Sequence, residues 1–484
     1  MNRVAIIGGG FAGLAAAVDL AGRGFAVSLL EARPRLGGRA YSFRDHETGE
    51  VIDNGQHTLM GCYRDTLAFL DRIGATHKLM RQKNLHVRMV HPARGPGAIT
   101  CPSLPSPLHL VGGILRYRLL TQAERLRALL GGMQVMAMRR RGDPRLRECT
   151  VEQLLLALRQ SPNACASFWY PVAVATLNES PQRAAAVLFA EVLARAFFRS
   201  RADSQFVLPR VGLSELYTED ARRYVEARDG HVELQAAAAA LVLRGNRVAG
   251  LQLRDGRAIA TDACISAVPP KALAALLPDA ARDQCGLPAL DAIETSPIVS
   301  GHLWCDRPIL SDAFVGLIGR TTQFVFNRTG LTGQGDNGRQ CLSAVISAGR
   351  EVVEWPAARI AETVVADLQA LVPAARGARV LHTVVVKEKQ ATISATPAAE
   401  RLRPAALTPI ANFFLAGDWT STGLPPTIES AVYSGRRAAE LVAEYLGLST
   451  AAEPESHASP TLAAFAASRS GPAESAVRGP ASRS

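Results

Sequence analysis

The spacing of hydrophobic residues at the start of the chain changes from strand-like to helix-like and back. Residues 4–7 are a short apolar run, and the alanine-rich residues 14–21 follow with helical spacing. Residues 26–30 are a second apolar run of strand length. The pattern predicts a βαβ unit with a glycine-rich turn between its first strand and its helix.

The middle of the chain carries long helical patterns. Residues 108–138 are dense in leucine and arginine and predict one long helix, and helical spacing continues over residues 151–227. The following segment returns to short apolar runs, by which the chain re-enters the first domain. These runs predict strands at residues 241–243, 257–261 and 264–268.

Further along, apolar and polar residues alternate in a way that predicts a sheet in a second domain. A helix is predicted near residues 354–371. The predicted strands of this sheet are residues 298–304, 323–327, 341–347 and 379–386. A last buried strand is predicted at residues 413–416, followed by a helix over residues 427–445.

Composition places the chain among folded globular proteins. Of its 484 residues, 48% are hydrophobic and 20% charged, and this length suffices for two domains. The eight cysteines are scattered without a Cys-x-x-Cys pair, so we expect reduced thiols and a reducing compartment. We find no charged leader before an apolar stretch and no apolar run of roughly 18 residues, so we expect a cytoplasmic protein without a membrane-spanning helix.

The charge balance is strongly basic, with a net charge of +11 and a pI near 9.6. Nucleic acid, an anionic membrane surface and an acidic substrate are partners that such a charge allows. No zinc-finger spacing, basic-aromatic RNA-binding signature or long basic tail accompanies it, so we expect no nucleic-acid partner. A membrane surface is the favoured interpretation.

The glycine-rich turn Gly8-Gly9-Gly10-Phe11-Ala12-Gly13 lies between a predicted strand and a predicted helix, as a dinucleotide fingerprint requires. Gly8 permits the tight turn, Gly10 lets the backbone approach a pyrophosphate, and Gly13 lets helix and strand pack closely. The helix N-terminus then faces the phosphates. Glu31 ends the second strand, where a carboxylate can accept hydrogen bonds from ribose hydroxyls.

A second glycine turn, Gly37-Gly38-Arg39, follows Glu31 closely. Gly38 permits a close backbone approach, and Arg39 can pair with a pyrophosphate oxygen as a fixed cation. This turn indicates FAD rather than NAD.

Near the other end, Gly417-Asp418 follows a predicted buried strand, at the edge where α/β folds bind ligands. Asp418 is predicted to hold the ribityl chain or the pyrophosphate region. Thr427-Ile428-Glu429 opens a helix whose positive end can face the flavin and stabilise its anionic reduced form.

Together, the fingerprint, the Gly-Gly-Arg turn and the terminal Gly-Asp with its helix resemble the amine oxidase and carotenoid desaturase superfamily of flavoproteins. The similarity runs from residue 1 to about residue 447. Four separated segments further resemble the hydroxysqualene dehydroxylases of bacterial hopanoid pathways, a family within it. They are residues 53–63, 177–181, 208–216 and 417–429.

The resemblance implies an α/β fold with a discontinuous Rossmann-type FAD-binding domain and a second, α+β substrate-binding domain, as in amine oxidases. The first domain is predicted from residues 1–100, 225–290 and 387–447. The second is predicted from residues 101–224 and 291–386, with a helical part that faces a membrane. Residues 448–484 are rich in Ala, Ser, Pro and Gly and are predicted to form a disordered tail.

The resemblance also implies FAD as the cofactor and no metal. The residues predicted to contact FAD are Gly8, Gly10, Phe11, Ala12, Gly13, Glu31, Ala32, Gly38, Arg39, Gly55, Gln56, His57, Ala238, Ala267, Gly417, Asp418, Thr427 and Ile428.

The implied activity belongs to squalene and hopanoid biosynthesis: reduced flavin removes the hydroxyl of hydroxysqualene, a C30 allylic alcohol, and squalene forms. Ionisation of a protonated hydroxyl to an allylic cation, captured by hydride, requires an acid. We predict His57 as this acid, because imidazole can be charged near neutral pH and its turn lies near the flavin. In the alternative interpretation, His57 only orients the loop or binds the cofactor. Asp203, Glu179 and Glu388 are the other candidates for the acid.

The predicted helix over residues 108–138 combines leucines with a cluster of arginines, which is typical of a helix in a membrane interface. These arginines are Arg116, Arg118, Arg125 and Arg127, and Arg139-Arg140-Arg141 directly follow the predicted helix. An amphipathic helix packed on the domain is the alternative. We expect peripheral association with the inner face of the cytoplasmic membrane and contact with other enzymes of the squalene pathway.

Two other functions fit the same motifs. A carotenoid-type isoprenoid desaturase would run the redox reaction in the oxidative direction on the same scaffold. A redox-inactive flavin- and lipid-binding scaffold protein would keep FAD without turnover. An amine oxidase is less favoured, because aromatic residues make up 6% of the chain and no tyrosine-rich cage is evident.

Overall fold

The fold is that of a computed structural model, which describes residues 2–284, 292–334 and 338–447. The predicted disordered tail, residues 448–484, lies outside the described residues. The strands are β1 (Arg3–Ile7), β2 (Ala26–Leu30), β3 (Ser42–Arg44), β4 (Val51–Asp53), β5 (Leu59–Met60), β6 (Leu79–Arg81), β7 (His86–His91), β8 (Gly95–Thr100), β9 (Phe206–Pro209), β10 (His231–Glu233), β11 (Ala238–Arg244), β12 (Arg247–Leu253), β13 (Ala258–Ala260), β14 (Ala263–Ser266), β15 (Thr295–Cys305), β16 (Phe314–Leu317), β17 (Phe324–Asn327), β18 (Gln340–Ser347), β19 (Val380–Ile393) and β20 (Phe413–Leu415).

The α-helices are α1 (Phe11–Gly22), α2 (Arg64–Arg72), α3 (Leu108–Leu115), α4 (Gln122–Arg140), α5 (Arg145–Glu148), α6 (Val151–Ala157), α7 (Pro162–Ala164), α8 (Tyr170–Leu177), α9 (Ala186–Val192), α10 (Leu213–Glu226), α11 (Pro270–Leu276), α12 (Asp279–Gln284), α13 (Arg328–Thr332), α14 (Ala357–Leu371), α15 (Pro397–Leu402) and α16 (Ile428–Tyr445). Two π-helical segments, Cys165–Trp169 and Leu193–Phe198, continue α7 and α9. None of the helices that the structure describes has the length and hydrophobicity of a membrane span.

Five parallel strands form the first sheet, in the order β10-β2-β1-β14-β20. Val4 and Ile6 of β1 pack against α1 and α16, whereas Ala5 and Ile7 face a core shared with β11–β13. Both faces are therefore covered, which explains why β1 is an uninterrupted apolar run. The predicted βαβ unit and the Rossmann-type α/β fold are confirmed.

Seven strands form the second sheet, in the order β19-β15-β18-β17-β16-β7-β8. All neighbours are antiparallel except β16 and β7. The four strands predicted for this sheet are present, and β16 and the β7–β8 hairpin extend it. That hairpin lies within residues 1–100, so the segment assigned to the FAD-binding domain also supplies strands to the second sheet. One face packs against Ile360, Val364 and Leu368 of α14.

The single helix predicted over residues 108–138 is wrong, because the structure has two helices there, α3 and α4. Thr121 begins α4 with a capping box: its hydroxyl accepts a hydrogen bond from the Glu124 amide, and the Glu124 carboxylate accepts one from the Thr121 amide. The continuous helical pattern predicted up to residue 227 is likewise interrupted by β9, which pairs with β5 and β6. The capping box and the pairing of β9 therefore determine where the helices begin and end, rather than the helical spacing of the leucines.

The helical segment that follows β8 has its own hydrophobic core, in which Leu155, Trp169 and Phe189 are buried. Among the described residues the seven cysteines are free thiols, as predicted.

Candidate functional site

One continuous cavity of about 1050 Å³ joins the first sheet to the second. Ligand pockets of proteins span roughly 300–1000 Å³, so this cavity is slightly larger than that range. Its first end lies at the carboxyl edge of the parallel strands, where α/β folds bind ligands. Gly10, Glu31, Ala267 and Asp418, which follow β1, β2, β14 and β20, line it there.

The glycines of the fingerprint turn leave space for a ligand, because they carry no side chains that would fill it. Gly10 is the N-cap of α1, and a Cβ atom added to Gly38 would lie 3.2 Å from the Cα of Gly10. Both glycines line the cavity, which opens the N-terminus of α1 to it. A Cβ on Gly13 would lie 1.9 Å from the carbonyl oxygen of Gly8, so Gly13 serves helix–strand packing.

The Glu31 carboxylate is buried at the edge of this turn. Its Oε2 accepts a hydrogen bond from the Gly9 amide at 2.7 Å, and its Oε1 accepts one from the Arg33 amide at 2.9 Å. A carboxylate has about four lone-pair sites, so each oxygen keeps capacity for a further donor. The position fits the ribose hydroxyls expected there.

Arg39 and Asp418, predicted separately as cofactor residues, form an ion pair. The Arg39 Nη2 lies 2.5 Å from the Asp418 Oδ1, and the Arg39 Nη1 donates a hydrogen bond to the Ala391 carbonyl. The Asp418 carboxylate raises the pKa of Arg39. The guanidinium is thus a fixed cation in the cavity wall.

A buried ion pair holds the turn that carries Gly55, Gln56 and His57. The Arg328 Nη1 lies 2.9 Å from the Asp53 Oδ2, and both side chains are almost inaccessible to solvent. The Asp53 Oδ1 accepts hydrogen bonds from the Leu213 amide and the Ser42 hydroxyl.

His57, the predicted acid, is half-buried in the cavity wall. Desolvation by the surrounding protein lowers the pKa of its imidazole, although the Asp53 charge opposes this. A lowered pKa favours the neutral imidazole at neutral pH, so the ring orients or hydrogen-bonds more readily than it acts as a charged acid. The structure therefore disfavours the reason for which we selected His57.

The three alternative carboxylates have different positions. Glu179 is buried, and hydrogen bonds from Arg350 and Ser394 lower its pKa despite the opposing effect of burial. Asp203 is buried beside Arg64. Neither lines the cavity, whereas Glu388 does.

The helix predicted near the flavin is α16, which begins where expected. Thr427 is its N-cap and accepts a hydrogen bond from the Ser430 amide, and Thr427 and Ile428 line the cavity. Glu429 points to α2 instead, where its carboxylate accepts hydrogen bonds from the Asp65 and Thr66 amides. Burial raises the pKa of Glu429 to about 7.

The second end of the cavity is apolar. One face of the seven-stranded sheet forms its floor, with alternate residues of each strand directed into it. These residues include Val87 and Met89, Phe324 and Phe326, and Phe314. Helical residues such as Phe168, Val172 and Phe197 close the opposite side.

This apolar end reaches the surface at α3 and α4. Met133 lines the cavity and is 54% exposed, and Leu126 and Leu130 on the same helix face are 57% and 54% exposed. Leu108 and Leu115 of α3 are also exposed. Of the seven arginines predicted to lie in or after this helical region, Arg139 pairs with Glu191. The others form no ion pair among the described residues: Arg116, Arg118, Arg125, Arg127, Arg140 and Arg141.

All residues predicted to contact FAD line this cavity except Gly13. The Arg39 cation, the N-terminus of α1 and the backbone of the two glycine turns fit a diphosphate, and Glu31 fits a ribose. The residues present therefore suit FAD. Sequence reasoning missed Arg254, Asn178, Ser347 and Thr392, which also line the cavity. Asn178 lies within residues 177–181, one of the segments that resemble the hydroxysqualene dehydroxylases. This resemblance was the one feature of the sequence that could have indicated a role for Asn178.

A profile of the family "flavin containing amine oxidoreductase" matches residues 11–443. A hydroxysqualene dehydroxylase of Rhodopseudomonas palustris is 31% identical over 450 residues, which cover 91% of this chain and 98% of the relative. A 15-cis-phytoene desaturase of Synechococcus elongatus is 28% identical over 460 residues, which cover 91% of this chain and 95% of the relative. The predicted resemblance is thereby confirmed.

Among solved structures, an oxidoreductase from Methanosarcina mazei has the same fold, with a TM-score of 0.70 and 16% sequence identity. The similarity covers 90% of this chain and 100% of the Methanosarcina mazei chain.

Proposed function

The chain belongs to the flavin-containing amine oxidoreductase family of enzymes, and we propose that it uses FAD to remove the hydroxyl of hydroxysqualene, forming squalene. The continuity of the cavity carries this proposal. It leads from the glycine turns and the Arg39–Asp418 pair to an apolar compartment lined by aromatic side chains. An isoprenoid chain in that compartment would place a functional group beside the cofactor.

The residues of the cavity have separate roles in this reaction. Gly10, Gly38 and the N-terminus of α1 would hold the diphosphate of FAD, and Glu31 would hold its ribose. Bound FAD in its reduced form supplies a hydride to the substrate. Phe314, Phe324 and Phe326 exclude water from the isoprenoid chain, because their rings cover the floor of the compartment.

An anaerobic experiment tests the proposal. FAD-loaded, chemically reduced protein is mixed with hydroxysqualene in detergent, flavin reoxidation is followed by absorbance, and products are extracted for mass spectrometry. We expect squalene in a one-to-one ratio to oxidised flavin. Intact alcohol beside flavin that stays bound and reduced would contradict the proposal.

Carotenoid-type desaturation is the second candidate, favoured by the similarity to a 15-cis-phytoene desaturase. It needs oxidised rather than reduced flavin. Oxidised, FAD-loaded protein incubated anaerobically with phytoene distinguishes the two, because desaturation would reduce the flavin and lengthen the conjugated chromophore of the product.

We further propose that the exposed residues of α3 and α4 insert into an anionic membrane. Leu126, Leu130 and Met133 form one exposed apolar face at the point where the cavity reaches the surface. Arginines that form no ion pair in the described part of the chain, such as Arg118 and Arg127, lie near it in the sequence. Leucines supply insertion and arginines supply attraction to anionic headgroups. We accordingly propose that the protein binds to the inner face of the cytoplasmic membrane. There it would act in hopanoid biosynthesis and contact other enzymes of the squalene pathway.

Vesicle sedimentation tests the membrane proposal. We expect the protein to bind phosphatidylglycerol-containing vesicles and the variant L126S/L130S/M133S to lose most of this binding. L156S/L407S is the matched control, because Leu156 and Leu407 are 63% and 61% exposed but lie outside α3 and α4. Equal loss in both variants would exclude a specific surface.

A further inference from the structure

Glu388 lies at the junction between the cofactor end and the apolar end of the cavity. In the second sheet, Ser347 of β18, Ile298 of β15 and Glu388 of β19 are direct neighbours in register. Directly opposed residues of adjacent strands share one face of a sheet. All three line the cavity, so the Glu388 side chain is on its floor.

Glu388 also contacts the cofactor end. The Asn54 Nδ2 donates a hydrogen bond to the Glu388 Oε2 at 3.1 Å and another to the Arg39 carbonyl at 2.8 Å. Asn54 directly precedes the Gly55–His57 turn. Glu388 is therefore tied to both structures that are expected to surround the flavin, the Gly-Gly-Arg turn and the residue 55–57 turn.

In the described part of the chain, Glu388 is the carboxylate of the cavity that is neither ion-paired nor assigned to the ribose of the cofactor. The described cavity wall has three carboxylates, Glu31, Glu388 and Asp418. Glu31 accepts hydrogen bonds from two backbone amides, and Asp418 is paired with Arg39. Among the described residues, Glu388 accepts one hydrogen bond, from a neutral amide, and forms no ion pair, which leaves its Oε1 available.

Other polar groups extend the same patch. The Asn178 Nδ2 donates a hydrogen bond to the Thr392 Oγ1 at 3.0 Å, and both residues line the cavity next to Glu388 and Ser347. The compartment beyond them is lined by aromatic and aliphatic side chains. A long apolar molecule with one hydroxyl would thus find its polar partners at this junction.

We propose that Glu388 is the proton donor of the dehydroxylation, an inference that rests on the proposed function. In its protonated form, the Glu388 side chain gives a proton to the substrate hydroxyl as the allylic C–O bond breaks, and the oxygen leaves as water. Hydride from the reduced flavin forms the new C–H bond, so the substrate gains two electrons and the flavin loses two. Solvent then returns a proton to the Glu388 carboxylate.

The test compares E388Q with wild-type protein in single turnovers of the pre-reduced, FAD-loaded enzyme. General acids contribute about 10²- to 10⁴-fold to such steps, and we expect a rate loss in that range. Binding of hydroxysqualene to the oxidised protein, followed by tryptophan fluorescence, should change less than about twofold, because glutamine keeps the volume and the hydrogen bond from Asn54. E388D should recover part of the rate, and E354Q, at an exposed glutamate, should match wild type.

A substrate analogue with chloride in place of the hydroxyl makes the test specific for proton donation, because chloride leaves without a proton. We expect E388Q to reduce this analogue at nearly the wild-type rate. E388Q that is as fast as wild type with hydroxysqualene, or equally slow with both substrates, would overturn the assignment. Absence of squalene with the wild-type protein would instead refute the proposed function.

Discussion

Arg328 and Asp53 form a buried ion pair although 275 residues separate them along the chain. Arg328 begins α13, next to the second sheet, and Asp53 ends β4, directly before the turn that carries His57. His302 of β15 reaches the same point, with its Nε2 3.0 Å from the Asp53 carbonyl oxygen. The turn beside the cofactor end is thus held by residues of α13 and of the second sheet.

Removal of Arg328 should therefore weaken both stability and cofactor retention. In R328M the Asp53 carboxylate stays buried without its partner, which costs about 3–5 kcal/mol. R88M is the matched control, because Arg88 pairs with Asp312 at a partly exposed site of the same sheet, where such pairs contribute about 1 kcal/mol or less. Urea unfolding and the FAD-to-protein ratio measure the two effects, and equal destabilisation in both variants would contradict the argument.

Substitutions at two fingerprint glycines should have opposite consequences. In G10A the nearest atom to the new Cβ is the Gly38 Cα at 3.8 Å, so we expect an apoprotein of normal thermal stability that retains little FAD. In G13A the new Cβ would meet the Gly8 carbonyl oxygen at 1.9 Å, so the apoprotein itself should unfold at lower temperature. Thermal unfolding of the two apoproteins separates these cases, and a destabilised G10A apoprotein would disprove the assignment.

Glu429 should make stability fall with rising pH. Its pKa is raised by burial to about 7, so the folded protein binds a proton more tightly than the unfolded chain does. The stabilisation is complete below the ordinary glutamate pKa and is lost as the pH rises toward 7, by up to about 3 kcal/mol. We expect E429Q to lose this part of the pH dependence between pH 4.5 and pH 7.5, measured as unfolding free energy. E444Q, on the exposed side of the same helix, should titrate like wild type.

Ala175 lines the cavity on α8, close to Asn178. A tryptophan there would occupy the space of the substrate without touching the glycine turns. We expect A175W to keep its FAD and to bind hydroxysqualene at least tenfold more weakly, a loss of about 1.4 kcal/mol or more. A175S should bind normally, and normal binding by A175W would place the isoprenoid chain elsewhere.

Local patterns predicted much of the fold correctly. The strand–glycine turn–helix at the start of the chain and the strand and helix at the end of the described chain, around Gly417, Asp418 and Thr427, all lie where expected. These elements are predictable because their signals are local: an apolar run indicates a buried strand, and a glycine turn indicates its own backbone geometry. The connection between α3 and α4 was missed, since a capping box competes with a continuous leucine pattern and periodicity does not reveal the outcome.

The sequence by itself determined the family, the dinucleotide turn and the cofactor, since these depend on residue types at fixed local spacing. Only the tertiary structure decided which acidic side chain shares the cavity with the cofactor residues. Glu179, Asp203 and Glu388 all carry a carboxylate, so residue type does not rank them as acids. They differ in the residues that long-range pairing places beside them. Glu179 forms an ion pair with Arg350, and Asp203 forms one with Arg64. The register of β15 with β19 instead directs the Glu388 side chain into the cavity. These pairings join residues about 90 to 171 positions apart, for which local spacing carries no signal.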